Sequence, residues 1–266
     1  MSTEAKAGSC LIVTSRIDSA DRLHITPTAY DAIICADKGL QVAEALHLLG
    51  DVPVYLIGDY DSGTPPTEAE RAAASGLVVL PSVKDMTDSE AAIDLAVSKG
   101  FARIHVLGGL GGRFDHSMGN LGMLAKYVDD PRVEALSFED GQNLVFLKAP
   151  GTFRVPAQGT SLPEGGPVNR FYYFGLIAYG GPVEGLTITG AKYPLAGHTL
   201  TPDTTLGVSN EVAAGAPYAE VTHEQGHLLV ILSIDYRKRL LPMAGALLIV
   251  LMRPECRARK RLRGPP

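Results

Sequence analysis

Asp59 and Asp61 stand one residue apart where the apolar run Pro53–Gly58 ends, in the stretch LIGDYDSG. In extended chain their α-carbons lie roughly 6.5 Å apart, and side chains two positions apart share a face. Carboxylates that close repel one another unless a cation lies between them. No Cys or His pair is near, so the donors are all oxygens. That set suits Mg2+, which is held by a few carboxylates together with phosphate oxygens. An Asx turn through Asp61, Ser62 and Gly63 accounts for Asp61 but leaves Asp59 unexplained.

The same residue type recurs after other apolar runs. Asp37 follows Asp31–Cys35, Asp85 and Asp88 follow Leu77–Leu80, and Asp115 follows Arg103–Leu107 after a glycine loop. One such Asp could be a helix cap, but capping alone does not account for the placement after four successive runs. The segment KDMTDSEAAIDLA pairs Thr87 with Glu90 as a capping box and sets Asp88 at the positive end of a helix. Capping leaves Lys84 and Asp85 over, and a helix N-terminus with a hydroxyl and a lysine is a phosphate site. In VLGGLGGRFDHS, the glycines Gly108, Gly109, Gly111 and Gly112 precede Arg113 and Asp115. Their amides can approach phosphate, and Arg113 can pair with it bidentately. The loop is neither a Walker A sequence nor GxGxxG. His116 reads as a helix-start residue rather than a base.

These groups need a scaffold that gathers strand ends. Short runs of nearly continuous apolar character (Cys10–Thr14, Asp31–Cys35, Pro53–Gly58, Leu77–Leu80, Arg103–Leu107, Val133–Ser137) have the pattern of strands buried on both faces. Helical stretches alternate with them at Lys38–Leu49, Thr67–Ser75, Asp88–Lys99 and His116–Val128. The alternation predicts an α/β N-terminal domain with a mostly parallel sheet flanked by helices, whose ligands bind beyond the carboxyl ends of the strands. From about Asp140 the helical period is lost. Short β-prone runs at Asn143–Leu147, Gly151–Val155, Phe171–Ala178, Glu184–Thr189, Thr204–Val208, Tyr218–Thr222 and His227–Leu232 predict an all-β C-terminal sandwich. The division is 9–139, 140–234 and a basic extension, 235–266.

The motifs CADKG, GDYDS, KDMTDSEAAIDLA and GGLGGRFDHSMGN occur in the order and spacing of thiamine pyrophosphokinases. In the second half GLTITGAKYPL and LGVSNEV resemble that family's C-terminal domain. The likeness spans about residues 10 to 233. It implies transfer of pyrophosphate from ATP to the hydroxyl of thiamine, giving thiamine diphosphate and AMP, by a homodimer with active sites between subunits. Carried onto matching positions, it implies that Asp59, Asp61 and Asp88 bind Mg2+. By the same likeness Asp37, Lys84, Asp85, Thr87, Gly109, Gly111, Gly112, Arg113, Asp115 and Asn120 would serve ATP, and Ser209 and Asn210 would meet thiamine. The resemblance implies Asp59, Asp61, Asp88 and Arg113 as the catalytic set. Two other classes compete: a Mg2+-dependent phosphohydrolase with an Asp nucleophile, and a non-catalytic nucleotide-binding sensor, against which the full acidic set argues.

Composition narrows the field further. The chain has 266 residues, 45% of them apolar, enough for a sizeable core. Residues 237–266 hold nine of the 24 Lys and Arg and one of the 29 Asp and Glu, leaving 15 bases against 28 acids before them. An acidic body argues against nucleic acid, and the basic tail reads as a solvated extension. Three well-separated cysteines, Cys10, Cys35 and Cys256, form neither metal spacing nor a disulfide framework. With no signal-peptide pattern at the N-terminus, the expected location is cytoplasmic. The apolar run Leu240–Met252, interrupted by Pro242 and Gly245, is too short to span a bilayer.

Overall fold

The computed structural model describes residues 8–60, 65–83 and 85–235. Asp61, Lys84, Cys256, the run Leu240–Met252 and the basic tail lie outside the described residues.

The strands of the first half are β1 (Gly8–Val13), β2 (Ala32–Ala36), β3 (Val54–Gly58), β4 (Gly76–Val79), β5 (Phe101–Leu107) and β6 (Ala135–Glu139). Four helices accompany them: α1 (Gly39–Ala45), α2 (Glu68–Ala73), α3 (Asp88–Ser98) and α4 (Phe114–Tyr127). The sheet order is β4-β3-β2-β1-β5-β6, and every neighbouring pair is parallel. Alternate residues of β1 and β2 serve opposite layers. Cys10, Ile12 and Ile34 pack among residues of α3 and α4, whereas Leu11, Val13, Ile33 and Cys35 pack with Leu40 and Ala43 of α1. Burial on both sides is what the nearly continuous apolar runs require. Burial also pushes the thiols of Cys10 and Cys35 up to about 12, so both remain protonated.

The chain leaves β1 toward β2 on one side, and after β4 it crosses back through α3 to β5 on the other. Strand order therefore reverses between β1 and β5, and an open sheet has its ligand crevice at such a point.

The second half is all β. Its strands are β7 (Asn143–Lys148), β8 (Gly151–Pro156), β9 (Tyr173–Thr189), β10 (Leu195–Leu200), β11 (Tyr218–His223) and β12 (Gln225–Ser233). The antiparallel β6–β7 pair carries the parallel sheet onward, through β12, β9 and β11 to β8. The separate strands expected over Phe171–Ala178 and Glu184–Thr189 are one 17-residue strand, β9. Its first part pairs with β12 and its second with β10 and β11, so it passes from one set of partners to another without a break. The strand expected at Thr204–Val208 is absent; that stretch turns, and β10 forms earlier. The capping box also falls elsewhere. Thr87 accepts from the Glu90 amide at 3.2 Å, but the Glu90 carboxylate reaches Lys126 of α4 at 3.1 Å. The reciprocal pair is Thr67 and Glu70, at the start of α2. A neighbouring helix offers Glu90 a charge, which outweighs the local amide.

One buried ionic chain ties the two halves. The Tyr30 hydroxyl lies 2.6 Å from His105 Nδ1, His105 Nε2 lies 3.0 Å from Glu139 Oε2, and Arg170 pairs with Glu139 Oε1. Burial pushes the Glu139 carboxyl up, yet His105 and Arg170 outweigh it and hold the group below its ordinary value. Its stabilisation is therefore complete above the unfolded pKa and lost as pH falls through the folded one. Replacing Glu139 by Ala leaves Arg170 without its buried counter-charge and should cost about 3–5 kcal/mol. Urea unfolding at neutral pH measures that loss, and the gap from wild type should shrink as the solution is acidified.

Candidate active site

Beyond the carboxyl ends of the parallel strands lies a cavity of about 850 Å3. After β1 it is lined by Thr14, Ser15 and Arg16, after β2 by Asp37, and after β3 by Asp59. Ser82, Met86, Thr87, Asp88 and Ser89 contribute from the approach to α3. The loop between β5 and α4 supplies Gly109 through Arg113, and α4 adds His116 and Asn120. All but Asn120, which comes from the middle of α4, follow a strand or lie near the start of a helix, so the sheet largely sets their spacing.

Local bonds hold these parts. Asp37 has φ 52°, with its amide on the Ile57 carbonyl at 2.8 Å and its carboxylate accepting from the Ser15 hydroxyl at 3.1 Å. The Tyr60 phenol is pushed up to about 12, first by burial and then by Asp37, with Asp88 adding to the rise. Carboxylates from the end of β2 and the start of α3 thus both act on one side chain. Asn120, 4% exposed, donates through Nδ2 to the Gly109 carbonyl at 2.7 Å and pins the glycine loop to α4. The loop glycines all have positive φ, between 63° and 91°.

Some expected site residues sit apart from this cavity. Asp115 is engaged by Arg113 through two bonds, 2.5 and 3.2 Å, and does not line it. Arg113 holds the Asp115 carboxyl below its ordinary value, and both groups are exposed. Asp85 is exposed and also off the lining. Ser209, exposed at φ 61°, and Asn210 belong to the β half. Asn210 is buried, and its amide is occupied. Its Oδ1 accepts from the amides of Tyr193 and Glu211 at 3.1 and 2.9 Å, and its Nδ2 donates to the Tyr193 carbonyl at 2.8 Å.

Among the described residues no group of three His, Cys, Asp or Glu is arranged to hold a metal; Asp61 lies outside them. Asp59 and Asp88, both on the cavity wall, are carboxylate donors of the type Mg2+ takes. Thr14, Ser15 and Arg16 were not expected. No carboxylate comes directly after β1, where the chain reads TSR, although strand-end placement singles that segment out equally. No helix among the described residues is long and apolar enough to cross a membrane.

Sheet order, reversal point and lining define an α/β protein with a ligand cavity at its switch point, continued by a β half. Comparison with known proteins places it more closely. Residues 26–135 match the family model "Thiamin pyrophosphokinase, catalytic domain", and residues 165–228 match "Thiamin pyrophosphokinase, vitamin B1 binding domain". A thiamine pyrophosphokinase of Bacillus subtilis (strain 168) is 32% identical over 191 residues, covering 70% of this chain and 81% of the relative. The crystal structure of thiamine pyrophosphokinase from Bacillus subtilis aligns with TM-score 0.68 at 27% identity, covering 85% of this chain and 99% of that one. The corresponding enzyme structure from Geobacillus thermodenitrificans aligns with TM-score 0.65 at 28% identity, covering 86% and 98%. The chain belongs to the thiamine pyrophosphokinase family.

Asn120 provides a test of the loop's support. Asn120→Ala removes the donor to the Gly109 carbonyl and should lower stability by about 1–3 kcal/mol. Asn120→Asp sets an acceptor against that carbonyl and should cost at least as much, as read by denaturant melts of the two variants.

Proposed function

We propose that this chain transfers the pyrophosphoryl group of ATP to the hydroxyl of thiamine, yielding thiamine diphosphate and AMP. One observation carries the reading: Asp59, Asp88 and the glycine–arginine loop line a single cavity at the point where strand order reverses. Family membership supplies the chemistry that this cavity serves.

The thiamine hydroxyl oxygen forms a bond to the β-phosphorus of ATP. The bond from that phosphorus to the bridging oxygen breaks, AMP leaves with the electron pair, and the hydroxyl gives up its proton. Such transfer is achieved mainly by positioning and by electrostatic stabilisation. Asp59 and Asp88, together with Asp61, would hold Mg2+, which when bound offsets the polyphosphate charge. Thr87, Gly109, Gly111, Gly112, Arg113 and Asn120 hold the nucleotide, and Asp37, Lys84 and Asp85 also serve it. Asp115 acts through Arg113, which it orients. A carboxylate, Asp61 or Asp88, orients the attacking hydroxyl.

In this reading residues 9–139 form the nucleotide domain and 140–234 a sandwich that binds thiamine. The passage of β9 between two sets of partners favours the sandwich. Ser209 meets thiamine, and Asn210 shapes that loop through the Tyr193 backbone. The working unit is a homodimer in which each sandwich completes the partner's nucleotide site.

Incubation with ATP, Mg2+ and thiamine should yield AMP and thiamine diphosphate. AMP formed equally without thiamine, or release of phosphate in its place, would mark a hydrolase; ATP-dependent thermal stabilisation without turnover would mark a sensor. Asp59→Ala and Asp88→Ala should abolish turnover while retaining the wild-type melting profile. Arg113→Ala should lose about 2–4 kcal/mol of transition-state stabilisation, read from kcat/KM.

A further inference from the structure

We infer that Arg16 is a second polyphosphate-binding cation of this site, and that Asp18 positions it. The assignment rests on the nucleotide reading above and adds a residue to it.

The cavity collects the carboxylates Asp37, Asp59 and Asp88, and a polyphosphate entering it must meet positive charge. Arg113 is one source, but one edge of its guanidinium, Nε and Nη2, is taken by Asp115. Arg16 is the other arginine of the lining, and it is placed differently. Its Nε donates to Asp18 Oδ1 at 2.7 Å, and this is the only hydrogen bond of its side chain among the described residues. A single bond at Nε fixes the direction of the guanidinium and leaves the terminal amino groups able to engage an anion bidentately.

The glycine loop is shaped around this pair. A side-chain carbon built on Gly112 would lie 3.4 Å from Arg16 Cζ and Nη1, so the guanidinium is laid against the loop backbone. One built on Gly111 would come within 2.2 Å of Asp18 Oδ2. The loop that supplies amides for phosphate therefore also seats Arg16 and the carboxylate that orients it. Arg16 and Ser15 line both the main cavity and an adjoining one of about 590 Å3 beside α1, which also holds Lys38. Arg16 thus stands at the junction of the two. Its side chain is 69% exposed, so an incoming anion can reach it without displacing packed residues.

Equilibrium titration with a fluorescent non-hydrolysable ATP analogue, with and without Mg2+, tests the assignment. Arg16→Ala should weaken analogue binding by about 10–100-fold, the range for loss of charge-assisted bonds. KM for ATP should rise accordingly while KM for thiamine stays within twofold. Arg16→Lys should recover part of the loss because it keeps the charge. Asp18→Asn should weaken analogue binding severalfold and raise KM for ATP more than it lowers kcat, the mark of a positioning role. Melting curves identify any variant that has lost its fold, and Arg16→Gln then replaces Arg16→Ala. Wild-type affinity retained by folded Arg16→Ala or Arg16→Gln overturns this assignment alone. Wild-type protein that binds no analogue overturns the nucleotide reading as well.

Discussion

Close approach of backbones where the chain leaves β1 is the constraint on which the rest of this structure depends. Two glycines from opposite sides enclose the segment that follows Val13. A β-carbon on Gly108 would lie 2.1 Å from the Thr14 hydroxyl and 2.2 Å from the Arg16 carbonyl, and one on Gly141 would lie 1.7 Å from the Ser19 carbonyl. No side chain fits at either place. The Gly141 amide donates to the Asp18 carbonyl at 2.8 Å and the Gly108 amide to the Glu139 carbonyl at 2.8 Å, so the contacts are bonded as well as close. The end of β1, the glycine loop after β5 and the turn after β6 are thereby locked together at the reversal point of the sheet.

That lock has an electrostatic consequence. Several strand ends bring carboxylates to one place, an arrangement that is unfavourable unless cations accompany it. The chain brings Arg16 and Arg113 to the same cavity, each paired with an acid that does not line it, Asp18 and Asp115. In the function proposed above, a cation bound together with the polyphosphate would offset the charge of both the carboxylates and the nucleotide. The Glu139 chain is a different kind of ion pairing. Its members are largely buried and link β5, β6 and the segment entering β9, so they fix how the β half joins the sheet that carries the cavity.

Much of the cavity was legible because its residues follow apolar strands at short, fixed intervals. Asp37, Asp59, Asp88 and the glycine–arginine loop could be placed at one sheet edge from that rule, which also put Asp85 and Asp115 there although they do not line the cavity. Arg16 escaped because two hydroxyls and an arginine come directly after β1, and the carboxylate Asp18 only after them. The pairing of Arg113 with Asp115 and the anchoring of Tyr193 by Asn210 were not legible. The first depends on rotamers two residues apart, and the second on loops brought together in the β half. Glu90 was drawn to Lys126 by a helix 36 positions along the chain, against a local motif that fitted it equally well.

By itself the chain of letters determined the alternation of strand and helix, the change to β structure near residue 140 and the family to which the protein belongs, because periodicity and motif spacing are local properties. Strand order, the continuity of β9 across two sets of partners and the seating of Arg16 on the glycine loop were decided only in three dimensions. Those features depend on contacts between segments distant in sequence, where packing and charge choose among arrangements that local preference leaves equal.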